Sequence, residues 1–325
     1  MSAPDLIHID TIRAATTRLA GRVRRTPVTS ATSLGRLAGC RLSLKLELFQ
    51  RTGAFKIRGA LNRLGALSAA ERARGVCTVS AGNHAQCVAL AARLLDNTPC
   101  TVVMPEQAVR SKVEATRAYG AEVILHGDLT TVFARVKQVA DERNQVFIHP
   151  FDHPDIIAGQ GTVGLETMED LQDVDVVVVP IGGGGLASGV ATAVKSMAPH
   201  CRVIGVEPFG ADSMHRSLAS GKPEKLEAID TIADGLSAPF AGELTLAHCQ
   251  AHLDDLVRVT DDELVTAMRL LLERCKVLAE PAGAAATAAL LAGRIAGLGD
   301  HVHVAAIVSG GNIDLDQVAR LVAKT

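Results

Sequence analysis

Tryptophan is absent from the 325-residue chain, tyrosine occurs once, as Tyr119, and phenylalanine seven times. So few flat rings leave no stacking platform for single-stranded nucleic acid or for sugars. An excess of one charge is also missing. Lys and Arg number 33 against 35 Asp and Glu, a net charge of −2, so no basic field draws in a phosphate backbone and nucleic acid is not an expected partner. The longest apolar runs, 176–181 and 284–292, fall well short of the roughly 18–20 residues that a bilayer span requires, so no membrane span is expected. The start Met1-Ser2-Ala3-Pro4-Asp5 lacks the charged opening and apolar core of a signal peptide. Seven cysteines, an odd number with no CxxC pair, suit neither a disulfide framework nor a zinc knuckle. They are expected as small buried hydrophobes in a reducing cytoplasm.

With 48% hydrophobic and 21% charged residues, the chain is globular in composition, and at roughly 150 residues per domain its length argues for two domains. Short β-branched runs alternate with helix-length segments, the pattern of parallel sheets covered by helices. Leu42, Leu44, Leu46 and Leu48 alternate with Ser43, Lys45 and Glu47 and predict a half-buried strand. Strand-like runs at 76–80, 101–104, 121–125 and 146–148 form one series of βα units. The stretch 149–154 carries Pro150 and Pro154 and predicts a crossover between domains. A second series follows, with strands at 175–181, 202–206, 256–259 and 302–308 and helices at 186–197, 211–220, 262–275 and 282–295. The fold class is α/β: two open, mostly parallel α/β domains with a ligand cleft between them.

Four segments carry chemistry. Gly182, Gly183, Gly184 and Gly185 follow a valine-rich strand and precede Leu186 at the start of a helix. Consecutive residues without Cβ let backbone N–H groups converge, and a helix N-terminus adds favourable partial charge for a phosphate. The same loop satisfies a dinucleotide pattern through Gly182, Gly184 and Ala187, and Glu207 ends the next strand where a ribose-binding acid belongs. A nicotinamide oxidoreductase therefore competes, and a non-catalytic amino-acid sensor is a further alternative. The second segment, Thr52-Gly53-Ala54-Phe55-Lys56-Ile57-Arg58-Gly59, sets a lysine beside an aromatic in an aromatic-poor chain. The third, Ser80-Ala81-Gly82-Asn83-His84, closes a strand-like run and opens a helix, giving another donor-rich N-terminus. The fourth is Ser309-Gly310-Gly311-Asn312, after a strand-like run.

In this order and spacing the segments resemble the pyridoxal-phosphate (PLP) enzymes of fold type II, the tryptophan synthase β-like family, and within it the short threonine/serine dehydratases. Further matching stretches are Ile157-Ala158-Gly159-Gln160-Gly161-Thr162, Ala233-Asp234-Gly235-Leu236 and Glu280-Pro281-Ala282-Gly283-Ala284. The resemblance implies a large PLP-binding domain made of 1–52 and 153–325, a small α/β domain at 53–152, and the cofactor in the cleft between them. It implies that Lys56 condenses with the PLP aldehyde and later removes the substrate Cα proton, the conjugated ring taking up the electrons. Phe55 would pack on the ring face, Asn83 would bond the ring hydroxyl, Gly182 to Leu186 would hold the phosphate, Ser309 would meet the pyridine nitrogen, and Gly235 and Glu280 would lie near the cofactor. Ser80, Ala81, Gly82, Asn83 and His84 would receive the substrate carboxylate.

The activity so implied is β-elimination from L-threonine or L-serine, giving 2-oxobutanoate or pyruvate and ammonia. L-threo-3-hydroxyaspartate, phenylserine or another β-hydroxy amino acid is an alternative substrate, and serine racemisation an alternative reaction. Two departures from the family pattern stand out. Ala81 occupies the place where racemising members carry a second serine. The family's cation site maps to Glu207 and Ala211, where the resemblance implies a divalent or monovalent cation, with Ser213 in place of a second acid and Asp212 beside it. Only 313–325 follow Asn312, too little for an appended regulatory domain. The expected protein is cytoplasmic, acts on a small amino acid and assembles as a homodimer or homotetramer.

Overall fold

The structure, a computed structural model, describes residues 4–128 and 131–323, so Met1, Ser2 and Ala3 of the N-terminal stretch and Lys324 and Thr325 of the tail lie outside the described residues. Among the described residues the strands are β1 (Val28–Ser30), β2 (Arg41–Leu46), β3 (Val76–Val79), β4 (Cys100–Met104), β5 (Glu122–Leu125), β6 (Val146–Phe147), β7 (Val176–Pro180), β8 (Arg202–Pro208), β9 (Asp255–Val259) and β10 (His303–Val308). They form a six-stranded sheet in the order β1-β2-β10-β7-β8-β9 and a four-stranded sheet in the order β5-β4-β3-β6. Every strand pairing is parallel except that of β1 with β2. No helix among the described residues is long and apolar enough to cross a membrane.

Parallel strands covered by helices on both faces have no solvent side, so they read as continuous apolar runs. Val176, Val177, Val178 and Val179 of β7 are all buried, alternating between a core on one face with Leu44, Val304 and Leu290 and a core on the other with Val190, Val203 and Ile307. The smaller sheet is packed the same way, with Val76 and Val102 facing one cluster and Cys77 and Val103 another. Six of the seven cysteines are buried and Cys275 is partly exposed.

A parallel sheet places all its strand ends of one sense on one edge, and ligands collect there. Gly182 lies two residues past β7, Ser309 follows β10, Ser80 follows β3, and His149 lies just past β6. The carboxyl edges of both sheets thus supply the segments singled out from the sequence.

The strand read as half-buried differs from expectation. Ser43 and Lys45 of β2 and Glu47 just beyond it are as buried as the leucines between them, because the polar face of this strand is covered by other polar groups. Lys45 Nζ donates to Glu166 Oε2 at 2.7 Å and to the Thr26 carbonyl at 2.8 Å. Arg58, fully buried on the first turn of helix Ile57–Ala66, donates to both oxygens of Glu47 at 2.8 Å, to Glu166 at 2.7 and 2.9 Å, to Thr162 Oγ1 at 3.1 Å and to the Arg24 carbonyl at 3.2 Å. Two cations and two carboxylates therefore neutralise one another inside the protein. Burial works against the charge on Arg58, but Glu47 and Glu166 outweigh it and hold the guanidinium's pKa above its ordinary value. Glu166 lies below the ordinary carboxylate range, since Arg58 and Lys45 overcome the cost of its burial.

The cluster joins β2 to helices Ile57–Ala66 and Pro154–Asp170. Those helices also touch through glycines: a Cβ on Gly159 would lie 2.6 Å from Gly59 Cα, so neither position accepts a side chain without separating them. Removing one member of a buried ion cluster strands its partners. Glu47→Ala is expected to lower unfolding free energy by about 3–5 kcal/mol, read from urea denaturation at pH 7. A loss below about 1 kcal/mol, the range of exposed pairs, would contradict the account.

Candidate active site

Lys56 caps helix Ile57–Ala66 in ordinary right-handed backbone geometry. The segment before it is tied to the end of β10. Ala54 bridges Gly310, the Phe55 N–H donates to the Ser309 carbonyl at 3.1 Å, and the Gly311 N–H donates to the Gly53 carbonyl at 2.9 Å. Lys56 Nζ donates to the Pro150 carbonyl at 3.0 Å and lies 5.5 Å from the centre of the Phe55 ring. No carboxylate among the described residues pairs with this amine. The neighbouring Cys87 thiol, 3.0 Å from Thr52 Oγ1, is pushed up to about 12 by burial and so stays neutral. Burial without an anion disfavours the ammonium, and the Lys56 pKa falls from 10.5 to about 8.

Two amide-rich helix ends belong to the segments on either side. At the start of helix Gly185–Met197 the N–H groups of Gly183, Gly184, Gly185 and Leu186 make no hydrogen bond within the described protein. Gly184 sits at φ +90°, and a Cβ on Gly183 would collide with the Phe151 ring, so the loop reaches this form only without side chains. At the start of helix Asn83–Leu94 the N–H groups of Asn83, His84 and Ala85 are likewise free, while the Gly82 N–H donates to Ser80 Oγ at 3.1 Å. Ala81 is partly exposed beside them.

Asn83 Nδ2 donates to Glu280 Oε1 at 2.6 Å, and Asn83 Oδ1 accepts from Asn312 Nδ2 at 2.7 Å. Glu280 is raised to about 7 by burial, which the Asn83 bond partly offsets. Gly235 adjoins the same carboxylate: a Cβ there would stand 3.8 Å from Glu280 Oε1. Ser309 Oγ points at the Ala282 carbonyl at 3.5 Å, a long contact that leaves the hydroxyl free to turn. His84 and His149 are neutral. Burial first, then the Lys56 charge, holds His84 well below 6.5 and brings His149 to about 4.

Contacts thus link Phe55 to Ser309, Asn83 to Glu280 and Gly235, and, through Pro150 and Phe151, Lys56 to the glycine loop. Glu207 and Ala211 are not part of these contacts. The Glu207 carboxylate, raised to about 8 by burial, accepts the N–H groups of Met214 at 2.9 Å and His215 at 2.8 Å. Asp212 is taken by Arg216 and Arg258, and no three His, Cys, Asp or Glu side chains among the described residues group to hold a metal. The one acid of the expected cation site, Glu207, is engaged at a helix end, and nothing among the described residues supports a cation on Glu207 and Ala211. That engagement also removes the ribose role for Glu207 on which the nicotinamide reading depended.

Three contributors escaped the sequence reading. The crossover 149–154 is a wall of the site: Pro150 accepts from Lys56 and Phe151 covers the glycine loop. Rings run Phe147, His149, Phe151, Phe240, Phe133 with neighbouring centres 4.7 to 5.8 Å apart. The rarity of aromatics was the available signal. Asn312 was read as part of a turn motif, and Arg58 as part of the lysine motif.

A buried lysine without an anionic partner, with unfilled amides at two helix starts near it, is the donor set that a carbonyl cofactor bearing a phosphate and a carboxylate substrate would need. Residues 19–310 match the family described as pyridoxal-phosphate dependent enzyme, and the chain belongs to it. Enzymes of this family use PLP, and the fold is that of fold type II. The chain is 45% identical over 316 residues to the catabolic L-threonine dehydratase TdcB of Escherichia coli, covering 97% of this chain and 96% of that protein. It is 46% identical to the phenylserine dehydratase of Ralstonia pickettii, covering 98% and 96%. The solved structure of maize serine racemase superposes with a TM-score of 0.93 at 42% identity, covering 98% of each chain.

In cofactor-free protein, trinitrophenylation of Lys56 followed by peptide mass mapping should titrate near pH 8, where the neutral amine begins to dominate. A midpoint above pH 10 would show that the amine is not desolvated as described.

Proposed function

We propose that the protein is a PLP-dependent ammonia-lyase that converts L-threonine or L-serine to 2-oxobutanoate or pyruvate and ammonia. The observation that carries this reading is the Lys56 amine, depressed to about 8 and free of any anion, between a glycine loop and a second helix N-terminus whose amides are both unfilled. PLP fits the donor set. Gly183 to Leu186 would hold its phosphate, Lys56 its aldehyde carbon, Asn83 its hydroxyl and Ser309 its ring nitrogen, with Phe55 against the ring. When bound, PLP supplies an electron sink for a carbanion at the substrate Cα.

The amides of Asn83, His84 and Ala85 would orient the substrate carboxylate, and the dipole of that helix favours its charge. Lys56 Nζ would take the Cα proton, for which a pKa near 8 suits neutral pH. The hydroxyl on Cβ departs with the electron pair of its bond and is protonated to water. Hydrolysis of the resulting amino-acrylate consumes one water and releases ammonia, so the net change is amino acid to 2-oxo acid plus ammonia. Ser309, whose hydroxyl would meet the ring nitrogen, would not hold that nitrogen protonated as a carboxylate would, which would favour loss of the β-hydroxyl. The family relatives include dehydratases and a racemase at nearly equal identity, so overall likeness does not choose the reaction. Ala81 supports the lyase: its methyl group neither gives nor takes a proton, whereas racemisation needs a proton-transfer group on each face of Cα.

Three measurements test this. Purified protein should bind PLP with a visible absorption band, and borohydride should fix the cofactor on Lys56. A panel of L-amino acids should show 2-oxo acid release from threonine and serine with the highest kcat/KM. Protein that takes up no PLP would refute the enzyme, and phenylserine or 3-hydroxyaspartate exceeding both by a wide margin would refute the substrate. Chiral chromatography after incubation with L-serine should find little D-serine, and Ala81→Ser should raise it. D-serine forming as fast as pyruvate in the parent chain would show the Ala81 argument wrong.

A further inference from the structure

The hydrogen bonds around Asn83 have a direction that a backbone group imposes. Asn312 Nδ2 lies 2.6 Å from the Thr52 carbonyl and 2.7 Å from Asn83 Oδ1. A carbonyl only accepts, so the Asn312 atom facing Thr52 must be the amide nitrogen. That same nitrogen faces Asn83, so the Asn83 atom opposite it must be the oxygen. The Asn83 nitrogen is then directed to Glu280 Oε1, 2.6 Å away, and a carboxylate accepts it. Turning either amide by 180° would set two acceptors or two donors against each other.

The three groups come from distant parts of the fold. Thr52 precedes the Lys56 segment and holds a left-handed backbone, φ 63°. Asn83 opens the helix that follows β3, and Asn312 follows β10. A Cβ on Gly53 would collide with the Asn312 side chain, so the glycine of the lysine segment makes room for this amide.

We propose that Asn312 is a positioning residue: by reading the Thr52 carbonyl, it sets which end of the Asn83 carboxamide faces Glu280 and couples that choice to the Lys56 segment. Asn312 acts only through Asn83. The inference rests on the proposed function for the presence of PLP beside Asn83.

The test uses substitutions that separate direction from packing. Asn312→Asp keeps the shape but only accepts, so it opposes the Thr52 carbonyl and favours the reversed Asn83 amide. Asn312→Ala removes the donor without opposing either neighbour, and Asn312→Leu restores bulk without a donor. PLP dissociation constants, from absorption titration of cofactor-free protein, should rise about tenfold for Ala and for Leu, the loss of one buried hydrogen bond of about 1.4 kcal/mol, and further for Asp. The Asp-to-Ala gap should vanish in an Asn83→Ala background, and kcat should fall more than KM rises.

If Asn312 merely fills space, Asp and Leu will bind PLP like the parent chain and Ala alone will be impaired, which overturns the proposal. Persistence of the Asp effect without Asn83 also overturns it. If Asp does not fold, checked by melting temperature without cofactor, the comparison of Leu with Ala decides: equal loss supports the proposal and recovery by Leu overturns it. A parent chain that takes up no PLP overturns the functional reading as well, whereas normal parent binding with a recovered Leu variant overturns this inference alone.

Discussion

Inside a protein a charge is tolerated only when opposite charges and hydrogen bonds replace the water it has lost, and the requirement is strict because Coulomb energies grow as the dielectric falls. Arg58 carries that constraint here. All the donors of its guanidinium are used within one buried cluster, and the acceptors come from the 3₁₀ turn after β2, from helix Pro154–Asp170 and from the chain before β1. These groups satisfy one another only when the edge of the larger sheet and both helices stand in one relation. Arg58 is two residues past Lys56, on the first turn of the same helix, so the relation that neutralises the cluster also sets where the Lys56 helix begins.

The chemistry of the cleft follows from the opposite condition. Around Lys56 the neighbours are a carbonyl, neutral imidazoles and a neutral thiol. A few ångströms of chain separate a fully paired cation from an unpaired amine, and pairing alone explains why one is held charged while the other is poised to lose its proton. The free amides at both helix ends complete the setting, because anions brought by ligands can take places that no side chain of the protein occupies. Glu207 shows the same rule reversed: placed at a helix start, its carboxylate caps that helix and is spent on structure.

Much of this was legible in the chain. Valine-rich runs ending in glycine or serine identified the parallel strands and the loops at their carboxyl ends, because side-chain period and turn chemistry are local properties. Boundaries moved by one to five residues: the run read as 202–206 continues through Pro208, the helix read at 282–295 ends at Leu291, and the segment read as a helix at 262–275 is α-helical over Asp261–Leu270 before a π turn. The alternation at 42–48 was read as a strand, which holds through Leu46 before a 3₁₀ turn, and wrongly as half-exposed, since nothing within those residues announces that Arg58 and Glu166 will cover Lys45 and Glu47.

Sequence alone determined the α/β architecture and the two amide-rich loops, which depend on residues close together in the chain, while Lys56 was singled out by the order and spacing of several separated segments. Tertiary structure decided the rest. That Pro150 receives the lysine, that Phe151 roofs the glycine loop and that four of the seven phenylalanines line up in one row of rings all depend on how the crossover folds back over the Lys56 segment. The direction of the Asn83 amide depends on a carbonyl read by Asn312 from 260 positions away. The lowered pKa of Lys56 depends on burial and on the absence of a facing anion. Each is a relation between distant segments, and local periodicity carries no record of what a side chain will meet once the sheets have packed.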